Sequence, residues 1–298
     1  MRVRGILHGK AVVITGAGRG LGAEYAIHAA GAGAGVVVND IDGDHAEAVA
    51  ARIIEQGGRA VVSVASVADP GQAGRIVQQC LTDFGRIDGL VNNAAIQHLA
   101  RPWEEDPDAV RELIEVNVLG VLYCGVAAAR AMRTQRAGSI VNISSGSSFG
   151  QRALGTYAAS KGAVASLTYS WALDLAELGV RVNAVCPLAW TQMVERHPAA
   201  QARVTRQRTP DRVAPLITYL LSDRAEGITG QLIRFTGDQL HIVRQPGIKD
   251  PVLHRAHWTV DDIAAAFDDV LGGHLEPFGL DKQPPPRLSQ TRSPYPTV

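Results

Sequence analysis

Cysteine is scarce in this chain. Cys80, Cys124 and Cys186 are its three cysteines, far apart and in apolar contexts. They make no disulfide framework and no metal-like pair, which suits a reducing cytosol and points to a cytoplasmic protein. An excess of one charge is also missing. Lys and Arg total 29 against 29 for Asp and Glu, so the balance gives no reason to expect nucleic acid or a membrane surface as a partner. There is no run of 18 uninterrupted apolar residues, and the basic start, Met1 to Lys10, leads straight into an apolar strand. Neither a membrane span nor a signal peptide is expected. His254 and His257 lack a nearby third ligand, so no metal site is assigned. Internal repeats are absent as well.

What the chain does have is a regular alternation of short apolar runs and helical stretches. Strands are expected at 11–15, 35–39, 60–65, 88–91, 139–144, 180–185 and 231–235. Helices are expected near 22–30, 43–56, 71–83, 107–135, 155–177 and 211–222. Such alternation predicts an α/β fold: a doubly wound, Rossmann-like parallel sheet with helices on both faces. Residues 1–238 would form this one nucleotide-binding catalytic domain. Residues 239–298 would be an extension with an amphipathic helix over 258–271 and a Pro-rich, extended end, packed on the body or on a neighbouring subunit.

The first strand runs directly into Gly16-Ala17-Gly18-Arg19-Gly20-Leu21-Gly22 and then a helix. That context lets backbone N–H groups and a helix N-terminus approach a pyrophosphate. Asp40 ends the second strand, where a carboxylate would accept hydrogen bonds from an adenosine ribose and repel a 2′-phosphate. It argues for NAD, while Arg19 argues for NADP through its guanidinium. Asp40 carries more weight, because a carboxylate beside a phosphate costs more than an unused exposed arginine. Its bland alternative is the N-cap of the next helix, a role open to Asp42 as well.

Tyr157 and Lys161 stand four residues apart, so on a helix they share a face. A free phenol titrates near 10, and a cation beside it would lower that value towards the range useful for proton transfer. The bland alternative is a surface tyrosine with a solvated lysine. Position weighs against it: Gly16–Gly22, Asp40, Asn93, Ser145 and Pro187 all fall at the carboxyl ends of strands, where such sheets bind ligands.

With Thr15–Gly22, Asn92-Asn93-Ala94-Ala95, Asn117, Ile143-Ser144-Ser145 and Tyr157-Ala158-Ala159-Ser160-Lys161 in order, the chain resembles the short-chain dehydrogenase/reductase family over about 1–237. The resemblance implies a catalytic set of Asn117, Ser145, Tyr157 and Lys161. Tyr157 would move the proton, Ser145 would orient the substrate oxygen, and Lys161 would hold the nicotinamide ribose. Asn117 would hold the helix break and a water chain behind the lysine. The cofactor contacts would come from Gly16, Arg19, Gly20, Leu21, Gly22, Asp40, Ser66, Val67, Asn93, Ala94, Tyr157, Lys161, Pro187, Leu188 and Thr191.

Departures from the family pattern include Ser66 in place of an aspartate, Ala95 in place of a glycine, and Leu188 in place of another. Ser144 competes with Ser145 by spacing, and strand alternation after Ile143 favours Ser145. The substrate pocket is expected to be lined by Gln97, His98 and Trp103, by Ser147, Phe149 and Leu154, and by Trp190 and Met193, an apolar and aromatic set. Region 194–212 holds Arg196, Arg203, Arg206, Arg208 and Arg212 against Glu195 and Asp211. It would be a lid that steers anions or a solvated loop. The expected activity is NAD-dependent interconversion of a secondary alcohol and a ketone on a small, largely apolar molecule. A 3-hydroxyacyl-CoA or acyl-thioester oxidoreductase is the alternative. A non-catalytic NAD sensor is disfavoured because both Tyr157 and Lys161 are kept. Relatives of this kind are commonly tetramers or dimers, so a homo-oligomer is expected.

Overall fold

A computed structural model describes residues 5–195, 201 and 204–285. Its eight-stranded sheet has the order β3-β2-β1-β4-β5-β6-β7-β8. The strands are β1 (Ala11–Thr15), β2 (Gly35–Asp40), β3 (Arg59–Val64), β4 (Gly89–Asn92), β5 (Gly138–Ile143), β6 (Val180–Pro187), β7 (Leu232–Phe235) and β8 (Leu240–Ile242). All pair in parallel except β7 with β8.

Alternation along β1 divides the two cores. Val12 and Ile14 face one layer with helices α1 (Gly20–Gly31) and α2 (Gly43–Glu55), while Ala11 and Val13 face the other with α3 (Pro70–Phe84). Side chains of successive strand residues point to opposite faces, so a strand covered on both sides reads as a continuous apolar run. The central strands were legible for that reason. Between β1 and β4 the strand order reverses, and the crevice at the carboxyl ends opens there. Asp42 caps α2 by accepting from His45 N, which leaves Asp40 to another task.

Two elements depart from the expected pattern. The stretch 107–135 is not one α-helix: α4 (Pro107–Ile114) and α5 (Gly120–Gln135) are separated by a π-helical turn, Glu115–Leu119. The wider turn lodges Asn117 in the interior, fully buried. By length and composition this stretch would suffice to cross a membrane. In this fold it packs on α3 and α6 (Gly155–Ala176), with Cys124, Ala128 and Met132 in the core.

The second departure is β8, lying beyond Asp238, where the sequence shows no pattern. All three of its residues are exposed, so an edge strand forms there without any apolar alternation to announce it. A short helix, Gln192–Glu195 (α7), and then α8 (Ala214–Leu221) precede β7. In the extension, α9 (Val260–Asp269) is closed by a capping box between Thr259 and Asp262 and buries no residue. The chain then returns to the body. Leu280 N donates to Gly150 O at 2.7 Å, and Phe278 pairs with Gln283 across a tight turn. The Pro-rich end beyond residue 285 lies outside the described residues.

Candidate active site

At the end of β1 the glycine loop is held by close backbone approaches. A Cβ on Gly22 would lie 2.1 Å from Gly16 O, and one on Gly16, whose φ is +60°, would lie 2.8 Å from Ala94 Cα. Only glycine fits such contacts. Asn93 ties the end of β4 to this loop: its Nδ2 donates to Thr15 O at 2.9 Å and Gly16 O at 3.0 Å. No side chain caps α1, so its first N–H groups face the crevice without a capping acceptor. Asp40 Oδ2 accepts from Gly18 N at 2.9 Å and Oδ1 from Asp42 N at 3.1 Å, fixing the carboxylate at the crevice edge. A dinucleotide fits this cradle: an uncapped helix N-terminus for its phosphates and a rigidly held carboxylate for a ribose.

Tyr157 and Lys161 project from the first turns of α6, 8% and 2% exposed. Lys161 Nζ donates to Ile143 O at 2.9 Å and lies 5.7 Å from the centre of the Tyr157 ring. The two serines differ in their partners. Ser144 Oγ donates to Lys161 O at 2.9 Å and braces the helix, whereas the Ser145 side chain bears on the Tyr157 phenol and favours its ionised form. Asn117 touches none of the reacting groups. Its Oδ1 accepts from Ile96 N at 2.8 Å, and its Nδ2 donates to Ile96 O at 2.9 Å and Ser160 Oγ at 3.1 Å. Ser160 in turn donates to Tyr157 O at 2.8 Å, so Asn117 positions the α6 end that carries the tyrosine. Asn117→Ala would strand Ile96 N–H in the interior. It is expected to cost about 2 kcal/mol, read as a lower urea midpoint with unchanged slope.

Electrostatics correct one expectation. Burial pushes the Tyr157 phenol up to about 12, only partly opposed by the Ser145 side chain, rather than down. Burial also brings Lys161 down to about 8. The ammonium hydrogen-bonds the Ile143 carbonyl, and both groups are largely buried. Desolvation therefore outweighs the lysine's influence in the chain alone.

These groups share one cavity of about 940 Å³. Each glycine, side chain and strand-end residue expected to meet the cofactor lines it, from Gly16 through Asp40, Ser66, Val67 and Asn93 to Pro187, Leu188 and Thr191. Ser66 Oγ accepts from Ala68 N at 3.2 Å. Of the expected substrate residues, Gln97, Ser147, Leu154 and Met193 line the cavity.

The others do not. Phe149 packs into a separate cluster with Ala165, Cys186 and Leu232. Trp190 lies under Arg206, 5.1 Å away, and donates to Glu195 at 2.9 Å. His98 is 2.7 Å from Glu105, and Trp103 is 78% exposed. An aromatic near a strand end has two sides to choose from, and spacing does not say which. Of the lid arginines, Arg208 pairs with Asp238 at 3.5 Å and Arg212 donates to Gln207 O, while Arg196 and Arg203 lie outside the described residues. Sequence reasoning missed Arg234, Leu280 and Asp281, which line the cavity too. Arg234 had a signal, since it follows Leu232 by two along β7; the tail residues had none.

Residues 10–202 match the family model for short chain dehydrogenases, and that span holds both the glycine cradle and the tyrosine–lysine helix. The chain belongs to the short-chain dehydrogenase family. It is similar to the 3-oxoacyl-acyl-carrier-protein reductase FabG of Thermotoga maritima, 37% identical over 243 residues, covering 78% of this chain and 98% of the relative. Among solved structures, a short chain dehydrogenase from Mycobacterium avium matches with TM-score 0.81 and 30% identity, covering 95% of this chain and 98% of the other. A gluconate 5-dehydrogenase from Burkholderia cenocepacia in complex with NADP and tartrate matches with TM-score 0.71 and 32% identity, over 78% and 95%. As a short-chain dehydrogenase the protein is an oxidoreductase of a family that binds a nicotinamide cofactor.

Proposed function

We propose that this enzyme uses NAD to interconvert a secondary alcohol and a ketone on a small molecule whose body is largely apolar. The observation that carries the reading is that Ser145, Tyr157 and Lys161 line the same cavity as the glycine cradle and Asp40. The cofactor supplies or accepts the hydride. The chain handles the oxygen: Tyr157 Oη gives or takes its proton, and Ser145 Oγ donates a hydrogen bond that orients it. Thr191, Leu188 and Pro187 would hold the nicotinamide end. Gln97, Ser147, Leu154 and Met193 would surround the substrate.

NAD is favoured by the fixed Asp40 carboxylate, which would face a 2′-phosphate without room to withdraw. The NADP in the gluconate dehydrogenase structure belongs to a relative and keeps the other cofactor as an outcome of the test. The likeness to a 3-oxoacyl-acyl-carrier-protein reductase supports a second reading, in which the substrate is an acyl thioester. A cytoplasmic homo-oligomer, assembled through the exposed sides of α5 and α6, completes the proposal.

The test is direct. NAD and NADP are titrated side by side, and reduced-nicotinamide absorbance is followed over secondary alcohols and 3-hydroxyacyl thioesters. NAD is expected to bind about tenfold tighter or better, with alcohols turned over. In Asp40→Ala the preference is expected to move about tenfold or more towards NADP. Tighter binding of NADP by the unaltered protein would mean that Arg19 outweighs Asp40.

A further inference from the structure

Resting on the alcohol–ketone reading, we propose that the substrate carries a carboxylate close to its reacting carbon and that Arg234 binds it, so that the enzyme acts on hydroxy and oxo acids. Strand β7 turns Arg234 to the same side as Leu232, which packs with Ala165 of α6, Ala184 and Cys186. Cys186 and Arg234 are register partners on β6 and β7, so the arginine rises on the α6 side of the sheet, beneath the catalytic helix. Its tip ends beside the reacting groups. A Cβ on Gly146 would lie 2.7 Å from Arg234 Nη1, and Gly146 directly follows Ser145. A side chain at 146 would push the guanidinium aside; glycine leaves it room.

The far side of this corner is closed by the tail. The same point on Gly146 lies 3.6 Å from Leu280 Cδ1, and the Leu280 turn is fastened to Gly150 O. The corner thus sets the guanidinium beside the Leu280 side chain. The Arg234 guanidinium is only partly exposed, and its charge bears on the Cys186 thiol at the same corner. A partly sheltered guanidinium favours an anionic partner, and its fork matches a carboxylate in two hydrogen bonds. The cofactor phosphates do not fill this role, because the Gly16–Gly22 cradle follows β1, with β4, β5 and β6 between it and β7. Arg152 on the cavity rim adds positive charge, while Asp281 brings a carboxylate to the same cavity.

The experiment uses matched substrates: 3-hydroxy acids, their methyl esters and their thioesters, with wild type, Arg234→Gln, Arg234→Lys and Asp281→Asn. Wild type is expected to prefer the acid over its ester by about tenfold or more in kcat/KM. R234Q should cut kcat/KM for the acid by about 100-fold, mostly through KM, and change the ester by less than about threefold. R234K should recover part of the loss, and D281N should hold or strengthen acid binding. Equal or better turnover of esters or thioesters overturns the proposal. So does an R234Q effect that is the same for acid and ester, or a D281N variant that loses acid preference, since Arg234 would then serve Asp281. Nucleotide titration and melting curves run beside these assays. Ester turnover without acid preference removes the carboxylate site and leaves the oxidoreductase standing; failure to bind either nucleotide brings down both.

Discussion

Tyr157→Phe is expected to lower kcat by about 10²–10⁴-fold while nucleotide affinity stays within about twofold. The substitution deletes one oxygen and keeps the ring, which packs with Leu113 and Leu154 against Ile96 and Ile114. Ser145 retains its partner Ser147, so no buried hydroxyl is orphaned and the fold should be unaffected. The loss would thus fall on proton transfer alone. Because burial holds the phenol up at about 12, Tyr157 is protonated across the physiological range. As a proton donor to a ketone it is already in the right form, and this group gives reduction no pH dependence between about 6 and 9. Alcohol oxidation needs the ionised form, whose share grows tenfold for each pH unit below the pKa. Oxidation should therefore quicken with pH in the wild type and not in the variant. Steady-state rates in both directions across that range make the check, and full activity in Tyr157→Phe would sink the mechanism.

Which parts could be read in the sequence follows from which interactions are local. β1, β4, β5 and β6 are buried on both faces and show as apolar runs, and the motifs at their carboxyl ends fall where the topology requires. Asp40 was legible because its place is set by one strand–loop–helix unit. β8 was not, since an exposed edge strand has no burial pattern to display. The π turn at Asn117 changes the helical phase by one residue within an Ala- and Val-rich stretch, where many positions look alike. Phe149 and Trp190 were placed in the pocket on residue type, yet one turns into the Cys186–Leu232 cluster and the other under Arg206. Spacing reports nearness to Lys161 and not burial, so it does not carry the direction of the Tyr157 shift. Leu280 reaches the cavity from 123 residues beyond Tyr157 in the chain, a contact that only the assembled fold brings about.

Lys161→Met should be nearly inactive and yet melt at a higher temperature than wild type. Lys161 is 2% exposed, and its one hydrogen bond among the described residues goes to the Ile143 carbonyl, with no carboxylate in an ion pair with it. Burial lowers it from 10.5 to about 8, so holding the charged form inside costs on the order of 3 kcal/mol at pH 7. The sign follows from proton counting. Between pH 8 and 10.5 the unfolded chain keeps a proton that the folded chain has released, so wild-type stability rises with pH over that window. Below pH 8 both states are protonated and the full penalty applies. Methionine has similar length and no charge; after allowing for the carbonyl left without its donor, a net gain of about 1–2 kcal/mol at pH 7 is expected. At about 2–4 °C per kcal/mol for a chain of this size class, the melt should move up by several degrees, and the rise between pH 8 and 10 should vanish. Activity should fall by about 10²-fold or more, because the cation beside the Tyr157 ring is what the site gains from the buried cost. Melting curves from pH 6 to 10 with kcat on the same samples read both effects. A variant that melts lower and keeps the alkaline rise would show that the Ile143 contact, and not desolvation of the ammonium, governs this position.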